Sequence, residues 1–377
     1  MKKTLSILLS AMILAGSLAA CADGGKAGDS GALETAPAVT EPEAPEEEEG
    51  NVNASVKDSL PADLDLGGMT VNVYSYALEE YDIIGKGEET GDVVFDAVYR
   101  RTKSAGERLN ADIQWRDSPE EKWQSFSDEI NRVIMAGDDV WQILFVMGNA
   151  SIQSNRSNLF TDLSSPAYLD YSQPWWWNEA MDEVSFNGRE RRYLVGDIAL
   201  SNYLKAGCYY FNKNVYSDLY GDPDEMYLSV IDGKWTLDRL IELSSGAYQD
   251  LNGDNAVDEG DLYGLILGNY EYLKHSEYGF DIKHYYRDGD GFPVLDYDAD
   301  RAQTAVDKMY RLLFETNGNM YQTDYVPNSV FSQRHTFFHA NQLLAAFSDD
   351  LRKMEDDYGI IPYPKLDENQ AAYHNLL

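Results

Sequence analysis

Between residues 69 and 146 the apolar pattern changes period repeatedly, and few folds accommodate the resulting order. Residues 69–76, MTVNVYSY, alternate as a strand, and residues 92–109 then carry helical spacing. A second short strand is predicted over 111–115 and an amphipathic helix over 119–135. Gly137-Asp138-Asp139 turns the chain into VWQILFV at 140–146, an apolar run suited to a strand buried on both faces. This order implies parallel strands joined by right-handed crossovers. In open α/β sheets ligands lie beyond the carboxyl ends of the strands. Tyr74, Ser75 and Tyr76 after the first strand, and Met147 after the later one, are therefore candidate ligand contacts.

Residues 193–214, YLVGDIALSNYLKAGCYYFNKN, read as an extended stretch near the middle of the ordered chain. Such a stretch suits a strand shared by two halves. A length of 377 residues and 44% hydrophobic content allow two cores. The expected fold is α/β, a two-lobe clamshell with hinge strands and a small polar ligand between the lobes. Residues 63–197 form the first lobe, with 358–377 returning to it, and residues 198–357 form the second.

The N-terminal segment is read as a sorting signal. Lys2 and Lys3 precede an apolar run too short for a comfortable membrane span, and Leu18-Ala19-Ala20-Cys21 resembles a bacterial lipobox. Cleavage before Cys21 and acylation of its thiol would hold the chain outside the cytoplasm on the cell membrane. Residues 22–62 are rich in Gly, Ala, Pro and Glu, cannot bury enough apolar surface to fold, and read as a disordered acidic tether. With Cys21 lipidated, Cys208 has no disulfide partner and reads as a small buried hydrophobe. A net charge of −35 argues against nucleic acid or anionic lipid as partners. The 27 Tyr and 7 Trp suit both cores and sugar rings; the Trp175–Trp176–Trp177 run is expected to pack.

In the second half, Thr236 is a candidate N-cap for a helix bearing Leu240, Ile241 and Leu243. Asp250, Asn252, Asp254, Ala256, Asp258 and Asp261 fall at positions 1, 3, 5, 7, 9 and 12 of an EF-hand-type loop. Hard Ca²⁺ wants oxygen donors around a tight bend, so a structural Ca²⁺ is expected. Asn255 stands where such loops have Gly, and Asp261 where they have Glu; the first is tolerable because Asn adopts left-handed backbone. A strand over 263–267 leads to Asn269 and Tyr270 at another candidate edge. A helix is expected over 300–316 and a helical or mixed segment over 337–346, delivering Asp349 and Asp350. Residues 359–365 read as a short strand crossing back to the first lobe.

The lipobox, the tether, the strand GDDVWQILF, the strand YYFNKNVY, the helix start GKWTLDRLIEL and the crossover YGIIPYPK occur in an order that resembles the extracellular solute-binding lipoproteins of bacterial ABC importers, the type related to maltose- and oligosaccharide-binding proteins. The similarity runs from Leu66 to Lys365. It implies a monomeric, non-enzymatic binding protein that closes on a sugar and delivers it to an ABC permease, with no catalytic cofactor. It also implies that the chain stops early, before C-terminal first-lobe segments. Ligand contacts carried over on this basis are Tyr74, Ser75, Tyr76, Met147, Asp197, Ser201, Asn269, Tyr270, Asp349 and Asp350. A secreted glycoside hydrolase remains an alternative, since it needs only two carboxylates about 5–10 Å apart. So does a sensor lipoprotein presenting ligand to a receptor.

Overall fold

The computed structural model describes residues 56–75, 87–118, 123–146, 159–185, 190–255, 260–268, 270–322 and 324–376. Its contacts divide the chain into two compact units, Met1–Leu200 and Ser201–Leu377. Each is built on its own sheet.

In the first unit, β1 (Met69–Ser75), α1 (Val93–Leu109), β2 (Ala111–Asp117), α2 (Trp123–Ala136) and β3 (Ile143–Phe145) follow the predicted order. The three strands are parallel with β1 in the centre, in the order β2-β1-β3. Asp92 caps α1 by accepting from the amides of Val94 and Phe95, and Asn110 closes it in left-handed backbone. Alternation along β1 serves two cores. Val71 and Val73 pack with Leu109 beneath α1, whereas Tyr74 packs with Phe126 and Ile130 of α2. The sheet is thus covered on both faces, which explains why its last strand reads as a continuous apolar run. Further along, α3 (Asn178–Glu183) sits in a third cluster where Trp175 and Trp176 are buried with Leu169 and Met181, so this pair is packing material as expected.

The predicted extended stretch over 193–214 is interrupted. A short helix, α4 (Leu200–Leu204), falls at the junction of the units, and the strand β4 (Gly207–Asn212) starts only afterwards. The apolar residues of 194–200 fill the loop packing of the first unit, with Leu194, Val195 and Ile198 against the cluster around Trp175 and Trp176. Extended propensity here is overridden by tertiary contacts.

The second unit continues with α5 (Lys213–Tyr220), α6 (Asp224–Ile231), α7 (Leu237–Ser245), β5 (Tyr263–Gly268), α8 (Tyr270–Gly279) and a hairpin of β6 (Tyr285–Arg287) and β7 (Pro293–Leu295). Then come α9 (Ala299–Tyr310), a π-helical turn at Arg311–Glu315, β8 (Asn319–Gln322), α10 (Asn328–Ser332), β9 (Thr336–Gln342), a 3₁₀ turn at Leu343–Phe347, α11 (Asp349–Arg352) and β10 (Tyr358–Ile361). The sheet order is β10-β4-β9-β5-β8. β5 runs parallel to β8 and β9, while β4 is antiparallel to β9 and β10.

One expectation is made more definite here and one is corrected. Residues 337–346, predicted as helical or mixed, are mixed: residues 337–342 belong to the central strand β9 and residues 343–346 to the 3₁₀ turn after it; His339 and Asn341 break the apolar alternation of the strand, yet both are buried. The segment 358–377, predicted to return to the first lobe, stays in the second unit. β10 pairs with β4, and Lys365 exchanges backbone hydrogen bonds with Trp235 and Leu237, so the ladder and the α7 cap hold the segment where it is.

Every residue of β4 is buried. Tyr209 and Phe211 face Trp235, Tyr216 and Phe338, while Cys208 and Tyr210 face Phe331 and Leu351. Cys208 is free, and burial pushes its thiol up to about 12, so it behaves as the inert hydrophobe expected. Trp235 is fully buried, stacks on Phe338 at 5.6 Å and donates its indole N–H to Pro362 O at 2.8 Å. Trp235→Ala is expected to cost about 3–5 kcal/mol, read as a lower denaturant midpoint; a loss below roughly 1 kcal/mol would contradict this core.

Candidate functional site

Parallel strands place their following loops at one edge, so the chemistry of each unit is sought at its carboxyl edge. In the first unit that edge is formed by Ser75, Asp117 and Phe145. Tyr74 is 5% exposed, lies parallel to Trp141 at 4.1 Å, and donates its hydroxyl to Glu129. Ser75 is fully buried and donates its hydroxyl to Arg116 O at 3.1 Å and Asp117 Oδ1 at 3.0 Å. Both are therefore taken up by packing and internal bonds rather than offered to a ligand. Asp197 is half-buried and its Oδ1 accepts the indole N–H of Trp177 at 2.9 Å, which fixes the third tryptophan of the run.

The other predicted contacts are scattered. Ser201 lies in α4, where its carbonyl accepts from Lys205 N at 2.8 Å. Asp349 and Asp350 are exposed in the first turn of α11, and Lys353 at 2.8 Å holds the Asp349 carboxyl below its ordinary pKa. Tyr76, Met147 and Asn269 lie outside the described residues, as does the side chain of Tyr270.

In the second unit the carboxyl edge is formed by Gly268 of β5, Gln322 of β8 and Gln342 of β9, with Gly207 of β4 entering there. The sequence pattern did not disclose what gathers at this edge. Asn341 is buried; its Nδ2 donates to Asn328 Oδ1 at 2.9 Å and to the Tyr325 hydroxyl at 3.5 Å. Its Oδ1 accepts from the Tyr272 hydroxyl at 3.0 Å and from Gln342 N at 2.8 Å. His339 Nε2 lies 3.1 Å from Asn328 Oδ1 and 2.9 Å from Asn341 Nδ2, and its ring stacks on Phe331. Tyr325 itself is 49% exposed. The signal that would have found this cluster was the strand NMYQ ahead of Tyr325-Val326-Pro327, too short and polar to read as a strand.

A surface groove of about 490 Å³ beside α6 and α7 was not anticipated either. Its cations are already engaged, Lys234 with Asp232 at 3.3 Å and Arg239 with Glu242 at 2.6 Å, and it is assigned no ligand.

The loop that follows α7 begins as the oxygen-rich pattern requires. Asp250 Oδ1 accepts from Gly253 N at 2.6 Å and Oδ2 from Asn255 N at 2.9 Å, and Asn255 takes left-handed backbone at φ 61°. Asn252 Oδ1 accepts from Asp254 N at 2.9 Å. Asp261 is buried with Oδ2 accepting the Tyr248 hydroxyl at 2.8 Å, a bond that pushes the Tyr248 phenol up to about 12. Ala256 and Asp258 lie outside the described residues. Among those described, no three His, Cys, Asp or Glu side chains are gathered as a metal cage.

With both units in view, the fold is that of the solute-binding proteins of ABC transporters. Against solved structures, the chain aligns with the galacto-N-biose/lacto-N-biose I-binding protein of Bifidobacterium longum at a TM-score of 0.50 and 11% identity, covering 82% of this chain and 69% of that one. The maltose/maltodextrin-binding domain of Bdellovibrio bacteriovorus, bound to maltotriose, aligns at 0.48 and 14% identity, over 81% of this chain and 68% of that one. A solute-binding protein from Thermotoga lettingae, bound with α-D-tagatose, aligns at 0.45 and 12%, over 79% and 68%. No protein-family model and no curated protein sequence matches the chain.

His339 gives the cluster a pH signature. Burial pushes its imidazole down to about 4 from an ordinary 6.5. The unfolded chain then binds a proton more readily, so the His339 contribution is complete above pH 6.5, declines as pH falls, and is gone below about 4. Replacing the ionising imidazole with a side chain that does not titrate, as in His339→Gln, is expected to flatten the stability profile between pH 6.5 and 4 by up to about 1.4 kcal/mol per pH unit. Denaturant melts of both proteins across that window would show it; parallel profiles would contradict it.

Proposed function

We propose that this chain is the substrate-binding component of an ABC importer, capturing an extracellular sugar or related polyol for delivery to a membrane permease. The observation that carries the reading is the fold itself, whose alignment with the Bifidobacterium longum protein reaches a TM-score of 0.50. That neighbour was solved in complex with lacto-N-biose. The second unit adds support from within the chain, because half-exposed Tyr325 and buried amide groups meet at the sheet edge where this architecture places ligands. The protein acts by binding, without turnover.

Placement outside the cytoplasm rests on the lipobox-like Leu18–Cys21, with Cys21 as the lipid-bearing residue. No helix among the described residues is long and apolar enough to cross a membrane. Cys21→Ala is expected to move the protein from the membrane fraction to the soluble one and to abolish labelling by a fatty-acid precursor. Persistent labelling would overturn the assignment.

The binding reading is tested by a thermal-shift and calorimetric screen against mono- and disaccharides and polyols. A ligand that binds only the native state stabilises it by about 2.7 kcal/mol at a hundredfold excess over Kd, so one class should raise the melting temperature. Hydrolysis of chromogenic glycosides, or no shift across the panel, would defeat the reading.

The loop at Asp250–Asp261 is proposed to hold a structural Ca²⁺ through Asp250, Asn252, Asp254, the Ala256 carbonyl, Asp258 and Asp261. Its all-oxygen donor set and the left-handed Asn255 favour a hard cation. Ca²⁺ is expected to raise the melting temperature of the protein and to leave Asp254→Ala unchanged; equal shifts for both would remove the loop from consideration.

A further inference from the structure

We infer that Tyr325 selects cyclic sugars over acyclic polyols, presenting a flat carbon face whose tilt is set by the buried Asn341. The inference rests on the sugar-binding reading above and narrows its substrate class.

Tyr325 stands just past the carboxyl end of β8, in the loop leading to α10. Three features make it a held platform rather than a loose loop residue. First, Val326 beside it is buried with Tyr263 and Ile266, which pins the loop to β5. Second, Gly268 at the end of β5 leaves the space the loop occupies: a Cβ there would come within 2.4 Å of Asp324 O and 2.5 Å of Val326 Cγ2. Third, the Tyr325 hydroxyl is drawn toward Asn341 Nδ2, and that amide is itself fixed by Asn328, Tyr272 and the Gln342 amide. At 3.5 Å this contact is the longest and weakest in the set, so it biases the direction of the ring and adds little to the stability of the loop.

The chemical consequence follows from which end of the phenol faces out. With its oxygen turned toward a buried amide, half-exposed Tyr325 has more open surface than a hydroxyl could supply, so ring carbon is part of it. A pyranose offers a matching patch of axial C–H groups and keeps its hydroxyls at the rim for polar partners. An extended polyol rotates its hydroxyls through every direction and has no such persistent face; it also loses more conformational freedom on binding. Phe347, at the end of the 3₁₀ turn that follows β9, is a further exposed aromatic of this unit.

The test compares wild type with Tyr325→Ala and Tyr325→Phe by titration calorimetry against a pyranoside disaccharide panel and against mannitol and ribitol. Tyr325 is half-exposed, so both variants should fold, and their melts check it. Wild type is expected to bind a pyranoside and to bind the polyols at least tenfold more weakly. Tyr325→Ala should weaken pyranoside binding by roughly tenfold. Tyr325→Phe, which keeps the face and loses the tether, should lose about two- to threefold. Polyols bound as tightly as pyranosides, an unchanged Tyr325→Ala, or a Phe variant as weak as the Ala variant would each overturn the inference while leaving the binding role standing. A wild-type protein that takes no member of either panel would defeat the binding role, and the inference with it.

Discussion

The second unit depends on the burial of β4 and β9 from both sides. A strand covered on both faces cannot satisfy any backbone group with water, so its ladder must be complete. β4 meets this by pairing with β9 and β10, and β9 by pairing with β4 and β5. Helices then follow from the demand for cover. α7 seats Leu237, Leu240 and Leu243 against one face, and Phe331 of α10 with Leu351 of α11 closes the other. The carboxyl edge escapes this cover at Tyr325, and polar and aromatic side chains collect there.

The first unit solves the same problem with three parallel strands and two helices. Its central strand sends Val71 and Val73 one way and Tyr74 the other. The aromatic that looked suited to a ligand is thereby consumed by the core, and Ser75 by its neighbours on β2. Ligand chemistry in such a unit belongs to the loops beyond the strands, because residues inside the ladder are needed to hold it.

The strand-helix order of residues 69–146 was legible because period and burial agree there: Val71 and Val73 alternate, and Leu109 falls on the covered face of α1. The α7 start at Thr236 was legible for a local reason, since its hydroxyl accepts from Arg239 N as an N-cap should. Legibility failed where long-range contacts decide. β9 was hidden because His339 and Asn341 look like surface residues until Asn328 and Tyr272, distant in sequence, are brought to meet them. The stretch 193–200 has strand-forming residues but no strand to pair with beyond the isolated bridge from Gly196 to Trp176. The site suffered most, since Tyr325 is positioned by partners on β9 and β5 and by the missing side chain of Gly268.

The polar pair on β9 also acts as a register mark. In the observed pairing His339 lies opposite Tyr210, on the face shared with Phe331, and Ala340 lies opposite Tyr209. A slip of one residue would carry His339 and Asn341 to the face of Trp235 and Leu240, away from Asn328, the partner they share. Hydrophobic residues alone would tolerate either alignment of a strand buried on both sides. Two misplaced polar groups do not, so the residues that disguise β9 in the sequence are the ones that give it a single alignment in the sheet.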